Sequence, residues 1–159
     1  MLRIRRAGRE DVPSILALVR ELADYEKLSH EARATEADLV RDGFSGAPRF
    51  FAELAEWDGE LAGYALWFFT YSTFQGRPGL YLEDLFVRPQ LRGRGIGKAL
   101  LVHLARLAVR EGCGRFQWQV LDWNAPAIEF YRALGARPLQ EWITMRVADG
   151  DIARIADLG

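Results

Sequence analysis

The chain has 159 residues, half of them hydrophobic and 27% charged, with a formal net charge of -1. That length suits one domain, and the charge gives no overall basic field for nucleic acid. The lone cysteine, Cys113, excludes an internal disulfide, and no apolar run is long enough for a membrane span, so a cytoplasmic protein is expected. In chain order, Leu2 and Ile4 alternate with arginines as in a strand that ends at Ala7-Gly8. Arg9 to Lys27 reads as a helix, with Pro13 early and Ile15, Leu16, Leu18, Val19 and Leu22 on its apolar face. Thr35 caps a short helix that ends at Gly43. Phe50 to Trp57 and Leu61 to Tyr71 are strands flanking the hairpin signal Asp58-Gly59. Leu80 to Val87 is a further strand, stopped by Pro89. Ile96 to Glu111 is a helix closed by Gly112 and Gly114. Phe116 to Leu121 is a strand, and Asn124-Ala125-Pro126 opens a helix that closes at Gly135. Trp142 to Val147 is a last strand, and Asp151 to Leu158 a tail helix. The expected architecture is a single α/β (α+β) domain over residues 1–159, with a mixed, mostly antiparallel sheet flanked by helices. The stripe Trp67-Phe68-Phe69-Tyr71 reads as core, and His30 and His103 lack partners at metal spacing, so no metal site is expected.

Leu80 to Leu101 is the most informative stretch. An apolar strand runs through Arg88-Pro89-Gln90-Leu91 into Arg92-Gly93-Arg94-Gly95-Ile96-Gly97-Lys98 and then a helix. Glycines at every second position let backbone N–H groups turn toward one point. The helix start adds unpaired N–H groups and partial positive charge, a combination suited to a pyrophosphate. Arg92, Arg94 and Lys98 oppose the helix dipole there, a conflict that a bound polyanion removes. A glycine-rich surface turn with solvated bases is the competing reading. Two familiar phosphate loops fail: Gly97-Lys98 is followed by Ala99, not Ser or Thr, and a Gly-x-Gly-x-x-Gly fingerprint puts its third glycine at Lys98.

Glu83 and Asp84 are adjacent acids inside an apolar strand, where an unpaired carboxylate is costly. Alternation puts Glu83 with Leu85 on one face and Asp84 with Phe86 on the other, unless a bulge intervenes. Glu83 is the candidate general base, directly or through water; a solvated or salt-bridged sheet edge is the alternative. Tyr131 falls on the helix opened by Asn124, and periodicity alone is satisfied by a core tyrosine packing with Ile128 and Leu134.

Arg92, Gly95 and Gly97, following Leu85-Phe86-Val87, resemble the Gln/Arg-x-x-Gly-x-Gly/Ala motif of the GNAT (Gcn5-related N-acetyltransferase) superfamily. Asn124 to Tyr131, followed by Gly135-Ala136, resembles its Asn-x-x-Ala/Ser-x-x-x-Tyr helix. Glu21 to Glu26, Asp42-Gly43-Phe44, Phe69-Thr70-Tyr71, Tyr81 to Val87 and Trp123-Asn124 together resemble the diamine (spermidine/spermine) acetyltransferase group. The acidic stretch of that group before the last strand is shorter here, with only Glu141, and Asp122 stands before Trp123-Asn124.

The resemblance implies a GNAT fold whose sheet splays where acetyl-CoA inserts, a homodimer, and N-acetylation of a primary amine. It implies acetyl-CoA held by Leu85, Phe86, Val87, Arg92, Gly93, Arg94, Gly95, Ile96, Gly97, Lys98, Asn124, Ala127 and Tyr131. Leu85 and Val87 supply backbone groups to the pantetheine arm, and Tyr131 is the general acid near the thioester sulfur. Tyr25 and Glu26, with Gln117, Trp118 and Gln119, form the acceptor pocket; a cationic amine adds Glu83 and Glu141. The acceptor is a polyamine, a diamine or a thialysine-like amino acid. Acetylation of a protein or an antibiotic, and a module that binds CoA without turnover, are the competing readings.

Overall fold

Alternation at the N-terminus is realised as β1 (Leu2–Arg6), in a computed structural model that describes residues 1–159. β1 pairs antiparallel with β2 (Phe51–Trp57), and β2 with β3 (Glu60–Ser72). Asp58 and Gly59 form the turn between them at φ 49° and 82°, the left-handed pair that matches strand twist in a two-residue hairpin. β3 pairs antiparallel with β4 (Arg77–Val87), which pairs in parallel with β5 (Arg115–Trp118). The sheet order is β1-β2-β3-β4-β5.

Helix α3 (Ile96–Arg110) crosses from β4 to β5 and packs along all five strands. It buries Ile96, Leu100, Leu104, Leu107 and Ala108, a stripe at helical spacing. Against the opposite face lie α1 (Val12–Tyr25) and α2 (Glu36–Gly43). Ile15, Leu18 and Leu22 of α1 share a core with Leu54, Tyr64, Leu66 and Phe86; Leu39 and Phe44 border it. Full burial of each such aliphatic side chain is worth about 1.5–3 kcal/mol.

The helix expected from Arg9 begins with a 3-10 turn, Arg9–Asp11, before α1 proper. Asp11 explains the turn. Its carboxylate accepts from the Gly8 N–H at 2.8 Å and takes both ends of the Arg5 guanidinium at 2.8 and 2.9 Å. Thr35 caps α2 as expected: its Oγ1 accepts from the Asp38 N–H, and Asp38 accepts from the Thr35 N–H. Trp67 is core, but Phe69 and Tyr71 of the same stripe are exposed.

The chain forms two compact units, Met1–Gln119 and Val120–Gly159. The second contains α4 (Ala125–Ala133) and α5 (Gly150–Ala156). Asn124 Oδ1 accepts from the Ala127 N–H at the start of α4. At its end the Gly135 N–H bonds Arg132 and the Ala136 N–H bonds Tyr131, with Gly135 at φ 97°, a Schellman closure. Trp142 to Val147, expected as a strand, is not one. Alternating side chains satisfy only the faces of a strand; its backbone also needs a ladder partner, and none pairs with this segment. β5 likewise stops at Trp118, short of the expected Leu121.

Candidate functional site

β4 loses regular pairing on both edges at one place. On the β3 side the register runs Tyr64 to Phe86, Ala65 to Leu85, Leu66 to Asp84, then Trp67 to Leu82, so Glu83 has no residue opposite. On the β5 side the last pair is Leu82 with Trp118, leaving Glu83 to Val87 without a neighbour. A bulge sharpens local twist, and β5 parts from β4 where the bulge falls. The sheet opens there, and a stretch of β4 edge is left for an extended ligand. The bulge also resets alternation. Leu82 faces the α3 side with Trp67, whereas Asp84 faces the α1 side with Leu66 and Phe86, as the reading of Asp84 with Phe86 anticipated.

Three acids gather at this opening. Glu83 is exposed, Asp84 is half-buried, and Glu26 directly follows α1. Burial drives the Asp84 carboxyl up to about 6; Glu83 and Glu26 push the same way, and a hydrogen bond from Tyr64 opposes them. That bond runs from the Tyr64 hydroxyl to Asp84 Oδ2 at 2.9 Å. Burial raises the Glu26 carboxyl as well, and holds the Tyr64 phenol well above its usual value. The electrostatics make this a place short of a cation.

Beyond β4, a 3-10 turn (Pro89–Leu91) leads to the glycine loop. Gly93 and Gly95 both sit at φ 77°. A Cβ at either meets nothing within 4 Å, so backbone conformation, not space, selects glycine there. The first backbone bond of α3 is from the Ala99 N–H to the Gly95 carbonyl, which leaves the amides of Ile96, Gly97 and Lys98 without intrahelical acceptors. Arg94 lies 5.3 Å from the Trp57 ring centre. Arg92 turns back: its Nε donates to the Val87 carbonyl at 2.8 Å, and its guanidinium stacks over Tyr25 and Phe86.

A sequence profile described as the acetyltransferase (GNAT) family matches residues 15–136. The chain belongs to the acetyltransferase (GNAT) family. It is an N-acetyltransferase. Among curated relatives, the GNAT chain is 43% identical to thialysine N-epsilon-acetyltransferase of Mus musculus over 155 residues, covering 91% of each chain. It is 32% identical to L-ornithine N5-acetyltransferase of Arabidopsis thaliana, covering 98% of this chain and 87% of that one. Among solved structures, an integron cassette protein from the mobile metagenome of V. cholerae superposes with TM-score 0.82 at 26% identity, covering 98% of both chains.

GNAT acetyltransferases use acetyl-CoA, and the residues present fit its polyanionic end. Two left-handed glycines, free helix-start amides and the cations of Arg94 and Lys98 converge on one loop. The GNAT opening in β4 contains Leu85, Phe86 and Val87; Phe86 is buried, and the Val87 carbonyl is already engaged by Arg92. Tyr25, Glu26 and Glu83 lie in the same unit, with Gln117 and Trp118 on β5 and Gln119 just after it. Asn124, Ala127, Tyr131 and Glu141 belong to the second unit, with Tyr131 on α4 beside Phe130, ring centres 5.5 Å apart. Sequence reasoning missed the Tyr64–Asp84 bond and the backward turn of Arg92. For the first, the signal was two acids with no nearby base; for the second there was none.

Proposed function

We propose that this N-acetyltransferase acts on the primary amine of a small molecule, with thialysine-like amino acids preferred and diamines or polyamines next. The observation that carries the reading is the gathering of Glu26, Glu83 and Asp84 at the opened edge of β4, next to the glycine loop. An acceptor that arrives as an ammonium supplies the charge these acids lack. The names of the mouse and Arabidopsis relatives, which specify thialysine and L-ornithine, support an amino acid with a side-chain amine.

Bound acetyl-CoA supplies an activated acyl carbon and a thiol leaving group. Arg92 to Lys98 hold its phosphates, Leu85 to Val87 pair with its peptide-like arm, and Asn124 and Ala127 add contacts. Glu26, Tyr25, Gln117, Trp118, Gln119 and Glu141 receive the acceptor. An amine of lysine-like basicity, near a pKa of ~10.4, must lose a proton before it can attack. Glu83 takes that proton, directly or through one water. The Leu85 N–H stabilises the carbonyl oxygen as charge builds on it. The Tyr131 hydroxyl protonates the departing sulfur. In the same reading the chain works as a cytoplasmic homodimer, with residues 1–159 as one catalytic domain; light scattering on the purified protein checks the dimer.

Thiol release from acetyl-CoA, measured against thialysine, ornithine, 1,3-diaminopropane, spermidine, an aminoglycoside and a peptide N-terminus, tests the acceptor class. Turnover confined to the peptide or the aminoglycoside overturns it.

A further inference from the structure

Tyr64 is fully buried in the core shared by α1 and the sheet. A phenylalanine fills nearly the same space there without burying a hydroxyl, and a buried hydroxyl is unfavourable unless it is bonded. The bond given to this hydroxyl goes to one place, Asp84 Oδ2, at 2.9 Å. Asp84 Oδ1 receives no hydrogen bond from the protein, and it is not among the sealed, unpartnered side-chain atoms, of which only Trp67 Nε1 is one. The carboxylate is therefore held by one oxygen and presents the other.

The groups that act on Asp84 come from every side of the opening: Tyr64 from β3, Glu83 from β4, and Glu26 at the end of α1. None is a cation. A half-buried carboxylate with two acidic neighbours and no arginine or lysine does nothing for stability. Asp84 shares this face with Phe86 by alternation, and the bulge at Glu83 turns Leu82 to the other. Geometry and charge together leave one consistent use for the free oxygen, which is to meet a positive group brought by a ligand.

We propose that Tyr64 is a positioning residue for the acceptor: its hydroxyl fixes the Asp84 carboxylate so that Oδ1 binds the ammonium of the incoming amine. The proposal rests on the small-amine reading above and adds two residues to it. Tyr64 touches no substrate; it acts through Asp84. By holding Oδ2 it also favours the charged form of Asp84, so its loss moves the titration of that carboxyl toward higher pH.

The test is steady-state kinetics with thialysine as acceptor, across pH 5–9, for the full chain and for Tyr64→Phe, Asp84→Asn and the double variant. Tyr64→Phe is expected to raise the KM for thialysine about tenfold and leave the KM for acetyl-CoA unchanged. It is also expected to move the acid limb of kcat/KM upward by about 0.5–1 pH unit. Asp84→Asn should raise the thialysine KM at least as much and remove the Tyr64-dependent shift of that limb. The double variant should match Asp84→Asn, since Tyr64 acts only through Asp84. Additive losses in the double variant, or a Tyr64→Phe protein with lower thermal stability but an unmoved thialysine KM and acid limb, would make Tyr64 a packing residue and overturn the proposal. If Tyr64→Phe does not fold, an unchanged thialysine KM in Asp84→Asn overturns it alone. A wild-type protein that acetylates ornithine but not thialysine, with the same variants tested on ornithine, preserves the proposal; one that acetylates no small amine overturns the functional reading and this proposal with it.

Discussion

The guanidinium carbon of Arg92 lies 4.7 Å from the centre of the Tyr25 ring. Four residues earlier, Arg88 bonds Glu21 through its Nε at 3.1 Å. Glu21 and Tyr25 are themselves four apart on α1, one helical turn. The segment that leads into the glycine loop is thus fastened to the last turn of α1 at two successive rungs. Glu26, in the proposed acceptor pocket, follows directly.

Arg92→Ala is therefore expected to impair both substrates. It removes the bond to the Val87 carbonyl and the stack on Tyr25, a stack worth about 0.5–1 kcal/mol at a partly exposed site. The KM values for acetyl-CoA and for the amine should both rise several-fold. Arg92→Lys should rescue little, because an ammonium lacks the planar fork that stacks and donates at once. A rise in the acetyl-CoA KM alone would show that the Tyr25 rung carries nothing.

Gly63 lies where β3 presses against β4. A Cβ there would stand 2.3 Å from the Phe86 carbonyl oxygen and 3.0 Å from the Val87 Cα, both backbone atoms that cannot swing aside. Gly63→Ala is expected to destabilise the protein by about 1–3 kcal/mol, as overpacking does. Since it pushes on the strand next to the opening, acetyl-CoA affinity should fall too. Thermal unfolding and calorimetric titration with CoA check the pair of effects.

Tyr131→Phe should retain CoA affinity and lower turnover at least about tenfold, the low end of what a positioned acid contributes. Turnover equal to wild type would remove Tyr131 from the reaction. Glu83→Gln should move the pH optimum upward, since the amine then deprotonates only through solvent; an unmoved profile points to another base.

Asp84 ties stability to pH with a definite sign. Its carboxyl titrates near 6 in the folded protein, against 3.8 ordinarily, so the folded state binds more protons between those values. Stability from this group is present below about 4 and is lost as pH rises to about 6. Two units amount to roughly 3 kcal/mol at most, and partial exposure reduces that to about 1–2. Asp84→Asn should therefore melt higher than wild type at pH 7.5, with the gap closing by pH 4. A gap independent of pH would assign the change to packing.

Much of the scaffold was legible in local chemistry. Asp58-Gly59 admits left-handed backbone and announced the hairpin; Thr35, Asn124 and Gly135 marked helix ends by their capping groups. Gly93 and Gly95 announced an anion loop because only glycine takes their φ without strain. What escaped depends on distant partners. Trp142 to Val147 alternates like a strand, yet alternation does not say what pairs with it. Nothing in Leu82-Glu83-Asp84-Leu85 reveals which residue β3 will leave unmatched. Tyr64 carries no local signal, and its hydroxyl gains meaning from a carboxylate twenty positions away.

The unmatched Glu83 also decides how this strand responds to a change in length. A strand keeps count by twos, and the bulge shifts the count by one between Leu82 and Asp84. Removing Glu83 would restore an unbroken ladder with Leu82 still opposite Trp67 and Asp84 still opposite Leu66, and would take away only the unmatched acid and the extra twist. A regular ladder that kept Glu83 would instead place it opposite Trp67 and turn Leu82 to the α1 side with Asp84, so a chimera must exchange β3 and β4 together.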